Sequence, residues 1–238
     1  MGETASGLGL HSSSEHETKF VLDNSAATGV VQWLRCRCWE DPEFPAGMVS
    51  SIYYDRQGWS FLREKINSDY LKTKIRLRWY ADIEGEEPEG ESYLEAKFKT
   101  GSRREKIRVR TAFSGKWLGQ VNLDDPRLLS IPGLLRSRGV VIRGGLYPAF
   151  LIRYKRRRFV EPVTGARLCL DYDLCVPQVN HQMLGYHNPF RLRKAAFELK
   201  GALSELPEVL QQLTALGCRK QSFSKYSSCY ARIMRTEF

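Results

Sequence analysis

Charged and apolar residues alternate along this chain in a period of two. In Lys72–Ala81, Lys72, Lys74, Arg76 and Arg78 alternate with Thr73, Ile75, Leu77 and Trp79. In Ser92–Lys99, Glu95, Lys97 and Lys99 alternate with Leu94, Ala96 and Phe98. Glu105–Ala112 sets Lys106, Arg108 and Arg110 against Ile107 and Val109, and Arg167–Leu174 sets Arg167, Asp171 and Asp173 against Leu168, Leu170 and Tyr172. Glu15, Glu17 and Lys19 share one side of Glu15–Leu22, and Glu198 and Lys200 flank Leu199 in Ala195–Lys200. Val49–Asp55 and Ala149–Phe159 complete a set of eight candidate strands. Successive strand side chains point to opposite faces, so each charged row lies on one side of its strand.

Helical spacing falls between the strands. Ala26–Trp39 carries Val30, Val31, Leu34 and Cys38 along one side, and Trp59–Tyr70 carries Phe61, Leu62 and Ile66. Pro126–Ser137 follows Asp124-Asp125, and Glu205–Leu216 follows Ser204 and stops at Gly217; both have the capping residues of a helix. Glu84–Gly90 reads as a polar turn. With no repeat and no long linker, residues 15–238 form a single domain behind a disordered Gly/Ser lead over residues 1–14.

The 238 residues carry 37 Lys+Arg against 27 Asp+Glu, a formal net charge of +10. From Arg127 to Arg158 the chain holds basic residues and no acidic one. The longest nearly continuous apolar run, Leu146–Ile152, is too short to span a bilayer, which excludes membrane insertion by that segment. The first residues have neither a basic nor an apolar signal region. The six cysteines form no C-x-x-C pair, and the expectation is a reduced, cytoplasmic location.

Amphipathic helices need apolar partners, and the apolar faces of the strands supply them. If helices clad the outside of a closed sheet, the charged rows point inward. The predicted fold is therefore α+β: a closed, antiparallel, eight-stranded β-barrel forming a tunnel with a hydrophilic, basic interior. Two like charges 6 Å apart at an effective dielectric near 20 repel by roughly 3 kcal/mol, so such a bore is costly when empty and favourable around a polyanion. The few carboxylates inside would hold a divalent ion between Asp or Glu and phosphate oxygens.

Glu15-x-Glu17-x-Lys19 resembles the opening signature of the triphosphate tunnel metalloenzymes, the CYTH superfamily. Ser51-Ile52-Tyr53-Tyr54-Asp55, Lys74-x-Arg76-Leu77-Arg78-Trp79-Tyr80 and Leu94-Glu95-Ala96-Lys97-Phe98-Lys99 are similar to the catalytic domain of the vacuolar transporter chaperone (VTC) family. So are Tyr154-x-Arg156, Arg167-Leu168-x-Leu170-Asp171, Phe197-Glu198-Leu199-Lys200 and Ser222-Phe223-Ser224-Lys225-Tyr226, in the same order, from about residue 15 to 230. The resemblance implies a polyphosphate polymerase that moves the terminal phosphate of ATP onto a polyphosphate chain with Mn2+ or Mg2+. It implies that Lys19, Arg76, Arg78, Arg156, Lys200 and Lys225 carry the transfer. Lys74, Lys97, Lys99, Arg108, Tyr154, Arg167 and Ser224 would bind substrate, and Glu198, Glu17 and Glu15 the metal. The sensor domain and membrane segments of the eukaryotic members find no counterpart, so the chain looks like a stand-alone version.

Phosphoryl transfer asks a protein mainly for charge neutralisation and alignment. Arg forks grip two oxygens at once, while Lys is a mobile point charge. If the terminal phosphate of a chain attacks, no general base is required; if water attacks, a carboxylate such as Glu17 must orient it. Two other readings stand beside the polymerase. One is a triphosphatase of the same fold. The other is a non-catalytic binder of a polyanion such as RNA, which the strict alternation of bases with aliphatic residues disfavours. Ser224-Lys225 also reads as a plain helix cap.

Overall fold

A computed structural model of the chain describes residues 16–86, 89–142, 144–201 and 206–236. The expected lead over residues 1–14 and Glu15 lie outside them. The elements run β1 (His16–Asp23), a 3-10 turn (Asn24–Ala26), α1 (Ala27–Arg35), β2 (Trp39–Glu40), β3 (Ala46–Asp55), α2 (Ser60–Ile66), β4 (Leu71–Ala81), β5 (Ser92–Thr100) and β6 (Arg103–Thr111). They continue with α3 (Gly115–Gln120), α4 (Pro126–Ser130), a 3-10 segment (Ile131–Arg138), β7 (Tyr147–Val160), β8 (Arg167–Val179), α5 (His181–Leu184) and β9 (Phe190–Arg191). The last elements are β10 (Lys194–Gly201), a 3-10 segment (Glu208–Thr214), β11 (Arg219–Lys220) and α6 (Lys225–Met234).

All eight strands expected from the alternation are present. The sheet nevertheless has eleven strands, because β2, β9 and β11 add two residues each, too few to show a period. Its order is β11-β1-β10-β8-β7-β3-β4-β5-β6, with β2 and β9 attached to β7 and β8. Every pairing is antiparallel.

The ladder does not close into the expected barrel; it ends at β6 on one side and β11 on the other. Charge gives a physical reason. Exposed Arg104, Lys106, Arg108 and Arg110 occupy β6, and β11 consists of exposed Arg219 and Lys220. Joining these edges would set cation against cation, and basic edge strands of this kind resist further pairing.

The sheet is curved all the same. The β7–β8 register shifts between Leu151, Arg153 and Lys155, and the β3–β7 register shifts between Tyr53 and Tyr54. Asp173 sits at φ +53, a left-handed conformation. Asn24 holds it there: the Asp173 amide donates to Asn24 Oδ1 (2.7 Å) and Asn24 Nδ2 donates to Asp173 Oδ1 (2.9 Å). Bulges such as these bend a sheet and increase its twist. They also take Asp173 out of the alternating row in which the sequence placed it.

Apolar side chains divide among three clusters. Under α1 and the 3-10 segment at 208–214, Val30, Val31, Leu34, Leu210 and Leu213 pack on Phe20, Leu22, Leu168, Leu170 and Phe197. Under α3, α4 and the 3-10 segment at 131–138, Leu118, Leu128, Ile131 and Leu135 pack on Ile52, Ile75, Leu77, Trp79 and Leu94. These two clusters cover the apolar face that the sequence assigned to helices. Each fully buried aliphatic side chain contributes about 1.5–3 kcal/mol. The expected helix at 26–39 stops at Arg35, and those at 126–137 and 205–216 are wholly or partly 3-10.

The third cluster departs from the expectation that helices lie only outside. Tyr226, Cys229 and Ile233 of α6 and Leu62 of α2 pack on Tyr53, Phe150, Ile152 and Tyr154. Tyr53 and Tyr154 belong to the charged face. The C-terminal helix therefore closes one end of the sheet's polar side.

Candidate functional site

Register fixes which side chains share a face, since directly opposed residues point the same way. On one arm, Glu17 opposes Lys200, Lys19 opposes Glu198, and Lys200 opposes Arg167. On the other, Tyr53 opposes Arg76 and Ser51 opposes Arg78; Lys72 opposes Lys99, Lys74 opposes Lys97, and Arg76 opposes Glu95, which in turn opposes Arg108. Apart from Glu15, the strand-borne residues singled out from the sequence thus come to one side of one sheet. Lys225 reaches the same side from the first turn of α6.

The arms face each other. Along a flat sheet β10 and β5 are five strand spacings apart, about 24 Å, which salt would largely screen. Yet Lys200 on β10 depresses Lys97 on β5, and Lys19 on β1 and Lys225 on α6 depress Lys74 on β4. The sheet is thus curled into a trough with its cations converging. Lys97 is exposed to water yet densely surrounded by protein, the combination expected of a side chain lining a concavity.

Carboxylates knit parts of the trough together. Arg156 donates to both oxygens of fully buried Asp171 at 2.6 Å each. Lys225 Nζ lies 2.6 Å from Asp171 Oδ2 and 3.6 Å from Glu198 Oε1. Lys19 Nζ stands between Glu17 (3.1 Å) and Glu198 (3.5 Å), and Lys200 lies 3.9 Å from the other oxygen of Glu198. Across the trough, Arg76 donates through two nitrogens to one oxygen of Glu95 (2.9 and 2.7 Å), while Lys106 lies 3.3 Å from the other. Arg78 is buried, donating to Ser51 Oγ (2.9 Å) and to the Tyr154 hydroxyl (3.0 Å). The Tyr154 ring lies beneath both Arg156 and Lys225.

The electrostatics follow from this crowding. Burial opposes ionisation of Glu198, but Lys225, Lys19, Arg156 and Lys200 outweigh it and hold the carboxyl well below its usual range. Glu95 is held down likewise by Arg76, Arg78 and Lys106 against the effect of burial. Burial and the charge of Lys65's neighbours Lys72, Lys19 and Lys99 lower Lys65 on α2. Among the described residues no carboxylate pairs with Lys74 or Lys97. Burial, then Arg76 and Lys200, push Lys97 down to about 7; burial, then Arg76, Lys19 and Lys225, push Lys74 down to about 8 despite Tyr53. Burial would raise the Tyr53 phenol, but Arg76, Lys74 and Arg78 bring it to about 8. The protein has thus collected more positive charge than it neutralises.

Ser224 caps α6, its oxygen accepting from the Ser227 amide (3.4 Å), so the plain-cap reading describes its observed contact. Arg167 is exposed at the start of β8, at the trough's margin. Arg108 is exposed on edge strand β6, 3.6 Å above the Tyr93 ring. Of the run Arg156–Arg158, Arg156 turns inward, Arg157 opposes Leu170 of the apolar face, and Arg158 donates to the Phe44 carbonyl (2.9 Å). The sequence placed Asp171 and Glu95 in charged rows, and Ser51 and Tyr53 in a family-like motif, without assigning any of them a part, and Lys65 was not singled out. Alternation identifies the first two as inward, but their role as arginine partners needs the strand register.

Among the described residues, no three His, Cys, Asp or Glu side chains gather into a metal-binding group, and no helix is long and apolar enough to cross a membrane. All six cysteines are free thiols. No curated protein matches the chain. A solved structure from Bacillus halodurans, named as a candidate adenylate cyclase, is similar at a TM-score of 0.50 and 13% identity, covering 89% of this chain and 96% of its own. Another so named, from Vibrio parahaemolyticus, has a TM-score of 0.45 and 11% identity over 93% and 98% of the two chains. The model of the VTC domain family matches residues 14–234, from the first strand of the trough to the helix that closes its end, and the chain belongs to that family.

Proposed function

We propose that the trough is a phosphoryl-transfer site that moves the γ-phosphate of ATP onto the end of a polyphosphate chain with the help of Mn2+ or Mg2+. The observation that carries this reading is the side-by-side pair Lys74 and Lys97, which have no carboxylate partner among the described residues and which resist their own charge. A run of phosphates supplies the missing negative charge along the length of the trough.

The donor set suits a hard divalent cation only in company with the substrate. Glu17 and Glu198 flank Lys19 on adjacent strands. Mg2+ is commonly held by one or two carboxylates plus substrate phosphates and water. Glu198 and Glu17 would hold the ion. Bound there, it would supply charge neutralisation at the phosphate oxygens.

The chain's own residues account for the rest. Arg76, Arg78 and Arg156 are fixed by Glu95, Ser51, Tyr154 and Asp171, so their remaining N–H groups are aimed before substrate arrives. Lys19, Lys200 and Lys225 surround Glu198 and are placed to neutralise the transferring group. A terminal phosphate oxygen of the acceptor chain attacks the γ-phosphorus of ATP; one P–O bond forms, the bond to the bridging oxygen of ADP breaks, and no proton need move. Glu95, Asp171 and Glu198 are all held below their usual range and are weak bases. Transfer to an ionised phosphate needs no base, whereas hydrolysis needs a carboxylate such as Glu17 to orient water.

Incubation with ATP and Mn2+ or Mg2+, read on a polyphosphate gel, tests the proposal. Long polyphosphate with stoichiometric ADP is the expected result. Orthophosphate alone would make the protein a triphosphatase of the same fold. No turnover, with RNA binding that survives Glu198→Gln and resists competition by tripolyphosphate, would make it a non-catalytic polyanion binder.

A further inference from the structure

Lys225 reaches the trough from the first turn of helix α6 and not from a strand. Among the described residues no backbone hydrogen bond joins α6 itself to a strand, although Gln221 shortly before it donates to the Lys19 carbonyl (3.0 Å); the helix is placed by its side chains. The residue after Lys225 is Tyr226, whose ring stacks on Tyr53 (centroids 5.0 Å) and on Phe150 (5.1 Å). Its hydroxyl donates to Asp55 Oδ2 at 2.9 Å. Asp55 ends β3 and is completely buried. Its Oδ1 also accepts from the amides of Arg56 (2.8 Å) and Phe61 (3.0 Å), and its Oδ2 from the amide of Leu62 (3.0 Å). One carboxylate therefore ties three elements together: the end of β3, the start of α2, and α6. Trp59, beside α2, packs on Tyr230 one turn further along α6 (4.7 Å).

We propose that Asp55 is a positioning residue for the phosphate site, holding Lys225 against Asp171 and Glu198 through the Tyr226 hydroxyl. The inference rests on the phosphate-binding reading of the trough. The geometry explains why a carboxylate is used. Both oxygens accept two donors, so an amide at this position would point an N–H group at two other donors whichever way it turned. Tyr226 also reaches the opposite arm, because its stacking partner Tyr53 accepts from Arg76 Nη1 at 3.4 Å.

A double-mutant cycle separates positioning from general stability. Tripolyphosphate binding is measured by calorimetry at fixed pH and salt for wild type, Tyr226→Phe, Lys225→Ala and the double variant. Tyr226→Phe keeps both ring stacks and removes only the hydroxyl. It is expected to weaken binding about tenfold, equivalent to about 1.4 kcal/mol, in the wild-type background and to change it little when Lys225 is already Ala. Asp55→Asn is the stronger second variant and should repeat that pattern with a larger loss of melting temperature. Equal losses in both backgrounds, or no loss from Tyr226→Phe, overturn the positioning role while leaving the phosphate site standing. Failure of the wild-type protein to bind tripolyphosphate removes the phosphate-site reading, and this inference with it.

Discussion

Replacing Lys97 with methionine keeps most of its length and deletes its charge, and the structure says how the effect should vary with pH. With its pKa at about 7, the Lys97 ammonium is roughly 90% deprotonated at pH 8 and roughly 90% protonated at pH 6. A phosphate run alongside restores the charged form. Binding at pH 8 should therefore draw about 0.9 proton onto Lys97, and binding at pH 6 only about 0.1. Lys74, at about 8, adds roughly half a proton at pH 8. Tripolyphosphate exchanges protons of its own, but these cancel in the difference between the two proteins. Calorimetry in buffers of contrasting ionisation enthalpy gives that difference directly. Lys97→Met should take up about one proton fewer than wild type at pH 8 and nearly the same number at pH 6. The linkage also has a sign without ligand. Because the folded value lies below that of an unfolded lysine, the unfolded chain binds more protons between pH 7 and about 10, and Lys97 makes stability rise with pH across that window. An uptake that is the same for both proteins at pH 8 would mean that Lys97 is already charged there or does not meet the anion, and either outcome removes the crowding of cations on which the account of a converging trough rests.

Arg76→Ala leaves Glu95, which is 2% exposed, without its closest partner. Breaking a buried pair on one side typically costs about 3–5 kcal/mol; Lys106 at 3.3 Å should hold the loss near the lower figure, read from urea unfolding. Glu198→Gln should leave tripolyphosphate-induced stabilisation intact or enlarged, since it removes a competing negative charge, while abolishing metal-dependent turnover of ATP; retained turnover would exclude Glu198 as a metal ligand. Carboxylates held low by cations stabilise the fold at pH values above their unfolded range and lose that contribution as pH falls through their folded values. Melting temperature should accordingly hold from pH 7 to about 5 and drop below it, and the drop should be smaller in Asp171→Asn if that carboxylate contributes as its Arg156 and Lys225 contacts require.

Most of the eight long strands were legible from a period of two, and Lys74, Arg76 and Arg78 could be put on one face without any coordinates; β3 and β7, buried on both faces over much of their length, show no such period. Closure was not legible. Whether two edges join depends on β6 and on two-residue strands such as β11, which carry no period to read. The placement of α6 was hidden for a related reason: Tyr226 and Cys229 look like any apolar helix face, and only their packing on Tyr53 and Tyr154 and the Asp55 contact show that the helix sits on the polar side. Partnerships such as Arg156 with Asp171 require the β7–β8 register, which two bulges alter. The bulge at Asp173 itself depends on Asn24, far away in the sequence, and no local pattern announces it.

The pairing of β1 with β10 has a kinetic consequence. Lys19 and Glu198 meet only when a segment of about 180 residues is closed, whereas β4, β5 and β6 are consecutive in sequence and pair with their immediate neighbours. Local hairpins form early, and contacts across long loops form late and slowly. β1 is made long before β10 and β11, its partners in the ladder among the described residues. The carboxylate–ammonium cluster around Glu198 is thus assembled by one of the longest closures in the molecule. A chain halted before β10 would hold one wall of the channel and leave its first strand waiting.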